Sequence, residues 1–241
     1  MRLAGKGAVV TGGTRGIGRA TVDAFLAEGA HVVACGRSEL PPDTDRLSWV
    51  RADVSREDEV EALFDAALDR LPGLDVVVNN AGVAHDTLLV DLTLADWQRV
   101  LDVNLRGPFL VCRRAVDEML ASGGGRIVNV SSFAAGGLVG EAAYATAKAA
   151  LLSLTRSIAK EYGSRRIACN AVVPGYVDTD MLAGLSAAAR EARARLSPEA
   201  RFGRPEEVAE AIVFLASDEA AFVTGDALYV AGAVRDVPRL S

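Results

Sequence analysis

Two kinds of segment alternate along the chain. Short runs rich in β-branched residues, such as Val76-Val77-Val78, are separated by longer stretches in which apolar residues recur at helical spacing. Runs that are apolar throughout are typical of strands covered on both faces. The pattern predicts seven strands, at residues 7–11, 31–36, 47–52, 74–79, 125–131, 166–172 and 227–230.

Helical patterns occupy most of the intervals, at residues 16–29, 56–71, 94–122, 142–162 and 205–216. Strands that alternate with helices predict an α/β fold, a doubly wound parallel sheet of about seven strands with helices on both faces, the Rossmann fold. No linker or internal repeat divides the chain, so we expect a single domain over residues 1–241. Ser55 has the character of a helix N-cap.

The segment at about residues 180–203 departs from this alternation and is rich in Ala and Arg. Open α/β sheets bind ligands above the carboxyl ends of their strands, so an insertion there is expected to cover a substrate as a lid. The alternative is a surface helix whose arginines are merely solvated. The arginines concerned are Arg190, Arg193, Arg195 and Arg201.

Composition narrows the functional class. Half of the 241 residues are hydrophobic and 24% are charged, which is typical of a globular domain and excludes a disordered chain or a disulfide scaffold. The net charge of −6 argues against a nucleic-acid partner, and the apolar runs are too short to cross a membrane. The amino terminus runs into a strand without signal-peptide organisation. Three scattered cysteines and two histidines indicate a cytoplasmic protein without a metal site.

A glycine-rich turn follows the first predicted strand and opens the first predicted helix. Glycines at this point permit a tight turn, and the exposed N–H groups at the helix start can receive a pyrophosphate. A turn with a purely structural role has the same spacing, but its place in the first βα unit favours dinucleotide binding. The candidate contacts are Gly12, Thr14, Arg15, Gly16, Ile17 and Gly18.

The end of the second strand indicates which dinucleotide is bound. An acidic residue there favours NAD, whereas arginine accommodates the 2′-phosphate of NADP. Arg37 occupies this end, no carboxylate follows until Glu39, and Arg15 can approach from the turn. Two cations without an acid predict NADP(H), unless both are ordinary surface arginines.

Tyr144 and Lys148 are spaced to lie on one face of a helix. A cation near the phenol is expected to lower its pKa from about 10 towards the range of a general acid. Such pairs are common on helices, but Ser131 and Ser132 close the preceding strand, at the sheet edge where active sites form. A hydroxyl there can hold a carbonyl oxygen while the tyrosine delivers a proton.

Three further sites are candidates. Asn104, within a predicted helix, is a candidate for a proton relay or a simple helix kink. The turn Asn80-Ala81-Gly82 follows the fourth strand, where small residues can lie against a cofactor. Asp53 follows the third strand and can accept a hydrogen bond from an adenine amino group, or simply be a charge at a helix start.

Together these residues resemble the short-chain dehydrogenase/reductase family, and within it the group similar to 3-oxoacyl-[acyl-carrier-protein] reductases. The resemblance covers nearly the whole chain and extends to Gly203-Arg204-Pro205-Glu206-Glu207-Val208-Ala209. It implies Tyr144 as general acid or base, Ser132 polarising a carbonyl, Lys148 holding the nicotinamide ribose, and Asn104 anchoring a relay water. It adds Val54, Pro174, Gly175, Val177 and Thr179 to the cofactor contacts.

Three positions depart from the family pattern. Ser131 has the usual interval to Tyr144 but Ser132 matches the usual second serine, and we favour Ser132. The segment 229–233 replaces the usual Val-Asp-Gly-Gly, which affects C-terminal packing and tetramer contacts. Arg166 stands where a glycine is usual, and with Arg165 it is a candidate for contacting the phosphate of a carrier-bound substrate, or a solvated pair.

The expected function is NADPH-dependent reduction of a ketone, either a 3-oxoacyl thioester or a secondary-metabolite ketone, with Tyr144 as general acid. The alternatives are oxidation of a secondary alcohol with NAD(P)⁺ and a non-catalytic dinucleotide sensor. The pocket walls, at residues 84–89, 133–141 and 180–201, are largely small or apolar. The family resemblance implies a homotetramer, with a dimer as the alternative.

Overall fold

A computed structural model describes residues 1–37 and 40–234, and within them it contains one seven-stranded sheet. Every neighbouring pair of strands is parallel and the order is β3-β2-β1-β4-β5-β6-β7, so the predicted fold class is confirmed. The strands are β1 (Gly7–Thr11), β2 (His31–Gly36), β3 (Leu47–Arg51), β4 (Val76–Asn79), β5 (Gly125–Val130), β6 (Ile167–Pro174) and β7 (Ala227–Val230).

Helices cover both faces of this sheet. They are α1 (Gly16–Ala27), α2 (Glu57–Arg70), α3 (Leu94–Leu101), α4 (Gly107–Ser122), α5 (Ala142–Tyr162), α6 (Ala187–Ala194) and α7 (Pro205–Ala216). Alternate strand residues point to opposite faces, so Val9 and Val77 share one core with α2, α4 and α5. Val10 and Val78 share the other core with α1 and α7. Burial on both faces explains why these strands are apolar throughout.

The helix predicted over residues 94–122 is interrupted. The π-helix Asp102–Arg106 separates α3 from α4. The predicted N-cap at Ser55 is wrong. The helix α2 starts later, after Arg56, and the Ser55 hydroxyl donates instead to Asp53 at 2.7 Å.

The predicted lid segment forms a 3-10 turn, Asp180–Leu182, followed by α6. Its arginines are not simply solvated. The Arg190 guanidinium donates to Asp178 at 2.8 Å and lies 4.8 Å from the centroid of the Phe202 ring. The Arg193 guanidinium lies 5.8 Å from the centroid of the Tyr176 ring. These contacts fix the helix against the loop that leaves β6.

Arg166 lies at the amino end of β6, the edge of the sheet opposite to the carboxyl ends. Its φ of 60° is left-handed, which explains why glycine is usual there. At the other end of the chain, Ala233 has a φ of 65° and Val234 packs against Phe133. Among the described residues, no helix combines the length and apolar character that a membrane span requires.

Candidate active site

A cavity of about 430 Å³ opens at the carboxyl ends of the central strands. Its wall joins the glycine turn after β1, the ends of β2 and β4, the start of α5 and the loop after β6. In a doubly wound sheet this is the switch point where ligands bind, because the strand order reverses between β1 and β4.

The structure brings most of the predicted site residues into this wall. They are Gly12, Thr14, Arg15, Gly16, Ile17, Arg37, Asp53, Val54, Asn80, Ala81, Gly82, Ser132, Tyr144, Lys148, Pro174, Gly175, Val177 and Thr179. Gly18 and Asn104 are not among the lining residues, but each neighbours one of them, Ile17 and Val103. Glu39 and Ser38 lie outside the described residues.

At its glycines, the turn after β1 exposes backbone atoms to the cavity without a side chain in between. Gly12 and Gly16 have φ values of 65° and 53°, in the region that glycine adopts without strain. A Cβ atom on Gly18 would lie 2.1 Å from the Gly12 carbonyl oxygen, so only glycine lets α1 start this close to the turn. The turn therefore has the bare backbone and the helix start that a pyrophosphate needs.

Thr11, which sequence reasoning did not single out, holds the turn after β4 in place. Its hydroxyl accepts hydrogen bonds from the N–H groups of Asn80 and Ala81, at 3.0 and 3.1 Å. The Asn80 side-chain amide donates to the carbonyls of Thr11 and Gly12, both at 3.0 Å. The sequence signal that could have revealed this role is the position of Thr11, the polar residue that ends a strand of apolar residues.

The two predicted phosphate-binding arginines both have acidic partners. Arg37 lies 3.5 Å from the Asp53 carboxylate, and Arg15 lies 3.8 Å from that of Asp180. Burial raises the pKa of Asp53, but hydrogen bonds from Ser55 and the Arg37 guanidinium hold it below its usual value. Asp53, predicted to lie near the adenine, is thus paired with the arginine predicted to bind the 2′-phosphate.

Tyr144 and Ser132 are brought together by the start of α5 and the end of β5. Both side chains line the same cavity, and Ser132 acts on the phenol by lowering the pKa of Tyr144. The neighbouring hydroxyl of Ser131 points elsewhere and donates to the Lys148 backbone carbonyl at 2.8 Å. Of the two serines, the one beside the phenol is therefore Ser132.

The pKa of Tyr144 is raised to about 12, contrary to the lowering expected from the sequence. Burial of the phenol is the main cause of the rise, the interaction with the Ser132 side chain opposes it, and the carboxylates of Glu141 and Asp86 add to it. The phenol is therefore protonated at neutral pH, which is the state that a proton donor needs.

Lys148 is 3% exposed, and its ammonium group donates to the Val130 carbonyl at 2.8 Å. Burial lowers its pKa to about 8. The ammonium lies 5.5 Å from the centroid of the Tyr144 ring, one turn along α5. A Cβ atom on Gly82 would lie 2.8 Å from the Asn104 side-chain oxygen, so glycine lets the turn after β4 pack against the π-helix.

Asn104 lies in the π-helix and its side chain is fully engaged. The amide donates to the Val83 and Val100 carbonyls at 2.7 and 2.9 Å, and its oxygen accepts from the Val83 N–H at 3.3 Å. Four residues later stands Pro108, which has no N–H, so the Asn104 carbonyl lacks the partner that a continuous α-helix would supply. Sequence reasoning overlooked this proline. A π-helix of this kind is frequent at functional sites.

The substrate end of the cavity departs from the small and apolar walls expected there. The carboxylates of Asp86 and Glu141 line the same wall as Tyr144. Arg165 and Arg166, candidates for a substrate phosphate, lie at the amino edge of the sheet and are absent from this wall. Among the described residues, no group of three or more His, Cys, Asp or Glu side chains is placed to hold a metal ion.

Known proteins resemble this chain over almost its whole length. A family described as enoyl-(acyl carrier protein) reductase matches residues 12–234. A 3-oxoacyl-[acyl-carrier-protein] reductase of Aquifex aeolicus is 38% identical, with 96% of this chain and 98% of the relative covered. The cis-4-hydroxycyclohexanecarboxylate dehydrogenase of Sinomonas cyclohexanicum is 46% identical, with 93% and 94% covered.

Solved structures show the same architecture. The aldohexose dehydrogenase of Thermoplasma acidophilum, in ligand-free form, superimposes with a TM-score of 0.91 at 33% identity. The alignment covers 99% of this chain and 97% of the other.

Proposed function

Because the chain belongs to the short-chain dehydrogenase/reductase family and is an NAD(P)-dependent oxidoreductase acting on CH–OH or C=O groups, we propose that it is an NADPH-dependent carbonyl reductase. The observation that carries the proposal is the Tyr144–Ser132 hydroxyl pair, beside a buried ammonium group and in one cavity with the glycine turn.

The cavity residues fit a nicotinamide cofactor. The turn after β1 offers a bare backbone at a helix start, and a Cβ atom on Gly12 would lie 2.8 Å from the Ala81 Cα atom. Gly12, Thr14, Arg15, Gly16 and Ile17 would hold the pyrophosphate. Asp53 and Val54 would lie at the adenine, and Lys148 at the nicotinamide ribose. Asn80, Ala81, Gly82, Pro174, Gly175, Val177 and Thr179 would line the nicotinamide end. When bound, the cofactor would supply the hydride for the carbonyl carbon.

The protein would supply the proton. The Ser132 hydroxyl holds the carbonyl oxygen of the substrate, and the Tyr144 phenol, protonated at neutral pH, donates to it. The Lys148 ammonium then faces the phenolate that is left, which lowers the cost of releasing the proton. The Asn104 backbone carbonyl, which has no N–H of residue 108 to accept from, would hold a water that returns the proton.

We propose NADPH rather than NADH on the basis of Arg37. Its guanidinium is 61% exposed at the end of β2 and is held by Asp53 at the cavity wall. An arginine in this place can give a planar, charged fork to a 2′-phosphate. Arg15 can reach the same phosphate if it leaves Asp180, a long ion pair between exposed side chains that costs little to break.

For the substrate we propose a ketone such as a 3-oxoacyl thioester or a secondary-metabolite ketone. The relative from Aquifex aeolicus is named for reduction of a 3-oxoacyl group on a carrier protein. The oxidation of a secondary alcohol remains the second candidate, because a relative 46% identical over 237 residues is named as a dehydrogenase. Comparing NADPH-driven with NADP⁺-driven rates at one pH separates the two.

We also propose a homotetramer, or a dimer, that acts in the cytoplasm. Leu94 at the start of α3 is 80% exposed and Phe109 of α4 is 45% exposed, so these helices present apolar surface that a second copy could cover. The three cysteines are buried and unpaired, which suits a reducing compartment. Light scattering after gel filtration gives the number of chains.

The test of the proposed function is NADPH consumption across acyl-thioester, cyclic and aromatic ketones, with Tyr144→Phe as the decisive variant. Removing the phenol hydroxyl removes the proton donor, so we expect turnover to fall by about 10²–10⁴-fold. NADPH binding, measured by fluorescence titration, should change less than about threefold. Tyr162→Phe, at the end of the same helix, is the matched control and should keep full activity. Turnover retained in Tyr144→Phe would reject the proposal.

A further inference from the structure

Two acidic side chains meet at the substrate end of the cavity. Glu141 lies directly before α5, three residues from Tyr144, and Asp86 lies in the loop after β4. The two segments are tied together by a hydrogen bond of 2.8 Å from the Thr87 N–H to the Gly140 carbonyl. Both carboxylates line the cavity wall with Tyr144.

The carboxylates of Glu141 and Asp86 differ from the other two acids in the cavity wall. Neither side chain forms a hydrogen bond or ion pair with the residues that the structure describes, whereas Asp53 and Asp180 in the same wall are each paired with an arginine. Glu141 and Asp86 both act to raise the pKa of Tyr144 and of Tyr176, and Arg193 of α6 acts to lower the pKa of Glu141. Arg193 is itself engaged with the ring and hydroxyl of Tyr176. The Lys148 ammonium in the same wall is bound to the Val130 carbonyl, so the two carboxylates face the substrate end of the cavity without a hydrogen-bonded cation among the described residues.

Such a charge discriminates between substrates. A third carboxylate brought into a partly buried site beside these two is repelled, and the repulsion is stronger than in water because fewer water molecules screen it. A neutral group of the same shape is not repelled. We propose that Glu141 and Asp86 are specificity-determining residues. They make this cavity select ketones without a negative charge near the reacting carbonyl group, an inference that rests on the proposed function.

A matched pair of substrates tests this. Acetoacetamide and acetoacetate carry the same ketone and nearly the same shape, and they differ in one negative charge. We expect the wild-type kcat/KM to favour the amide by about 100-fold at about pH 8. Glu141→Gln and Asp86→Asn should each reduce this preference by on the order of tenfold, and the double variant by more. The readout is the ratio of the two kcat/KM values, so a change in proton donation by Tyr144 that affects both substrates alike cancels.

Two controls separate charge from shape. Asp91→Asn removes an exposed acid farther along the same loop and should leave the preference unchanged. Burial and Asp86 raise the pKa of Glu141 to about 7. The wild-type preference should therefore weaken at about pH 6, where Glu141 is protonated, and the Glu141→Gln variant should lose most of this pH dependence.

An equal preference in the wild type and both variants, or no preference in the wild type, overturns the inference. If the wild type reduces neither compound, the proposed function fails for this substrate class. The affinities of the NADP⁺-loaded enzyme for acetoacetamide and acetoacetate are then compared by calorimetry. A binding preference that falls in Glu141→Gln then still supports the inference, and an unchanged one overturns it.

Discussion

The Lys148 ammonium donates to the Val130 carbonyl, and among the described residues it has no acidic partner. Burial without a counter-charge disfavours the protonated form and lowers the pKa of Lys148 from 10.5 to about 8. The folded protein therefore holds this proton less tightly than the unfolded chain does. The contribution of Lys148 to the free energy of unfolding therefore rises as the pH increases from about 8 to about 10.5.

We therefore expect a difference in pH dependence between the wild type and Lys148→Met. From about pH 7.5 to about pH 9.5, the cofactor-free wild type should gain about 1–2 kcal/mol of unfolding free energy relative to the variant. The full pKa shift limits this gain to roughly 3 kcal/mol. Urea unfolding at each pH measures it. Lys160 is exposed on the same helix, so Lys160→Met is the control. Its free energy of unfolding should change with pH in parallel with that of the wild type. Parallel curves for Lys148→Met would show that the ammonium is not destabilised by burial.

Gly18 packs closely against both the turn after β1 and the turn after β4. A Cβ atom there would lie 2.1 Å from the Gly12 carbonyl oxygen and 2.3 Å from the Asn80 side-chain nitrogen. Gly18→Ala should therefore lower the free energy of unfolding by about 1–3 kcal/mol and weaken NADPH binding by more than about tenfold, because the turn must move. Gly184→Ala, where a Cβ atom meets nothing within 4 Å, should change neither. Chemical unfolding and fluorescence titration measure the two effects.

The sheet and most of the cavity wall were predictable because their signals are local. Apolar runs such as Val76–Asn79 need burial on both faces, and the turns that follow β1 and β4 necessarily reach the same edge of a parallel sheet. The predicted strand ends differ from the observed ones by one or two residues, as at β6, which extends to Pro174.

Features that depend on distant segments were not predictable. The meeting of Asp86 with Glu141 needs the hydrogen bond between Thr87 and Gly140, which no local pattern reveals. The direction of the Tyr144 pKa shift depends on the burial of the phenol and on those two acids. Helical spacing predicted only that Lys148 lies on the same helix face as Tyr144. The pairing of Arg37 with Asp53 is likewise a tertiary contact.

Arg37 should set the cofactor preference. Its guanidinium is expected to meet a 2′-phosphate, an interaction of about 1.5–3 kcal/mol for a hydrogen bond to a charged group. Arg37→Gln should lower kcat/KM for NADPH by roughly 10- to 100-fold and leave that for NADH within about threefold. Arg56→Gln removes an exposed arginine paired with Asp58 and serves as control. A wild type that uses NADH as well as NADPH would contradict the assignment.

Arg166 carries backbone strain that glycine would relieve. Its φ of 60° lies in the left-handed region, where a non-glycine residue pays about 1–2 kcal/mol. Glycine also loses more chain entropy on folding, about 0.5–1 kcal/mol, so Arg166→Gly should raise the free energy of unfolding by roughly 0.5–1 kcal/mol. The backbone hydrogen bonds of Arg166 with Gly163 and Gly125 are retained. Arg165→Gly, without left-handed backbone, should instead be neutral or destabilising in urea unfolding. A loss of stability in Arg166→Gly would mean that the guanidinium over Gly123 contributes more than the strain costs.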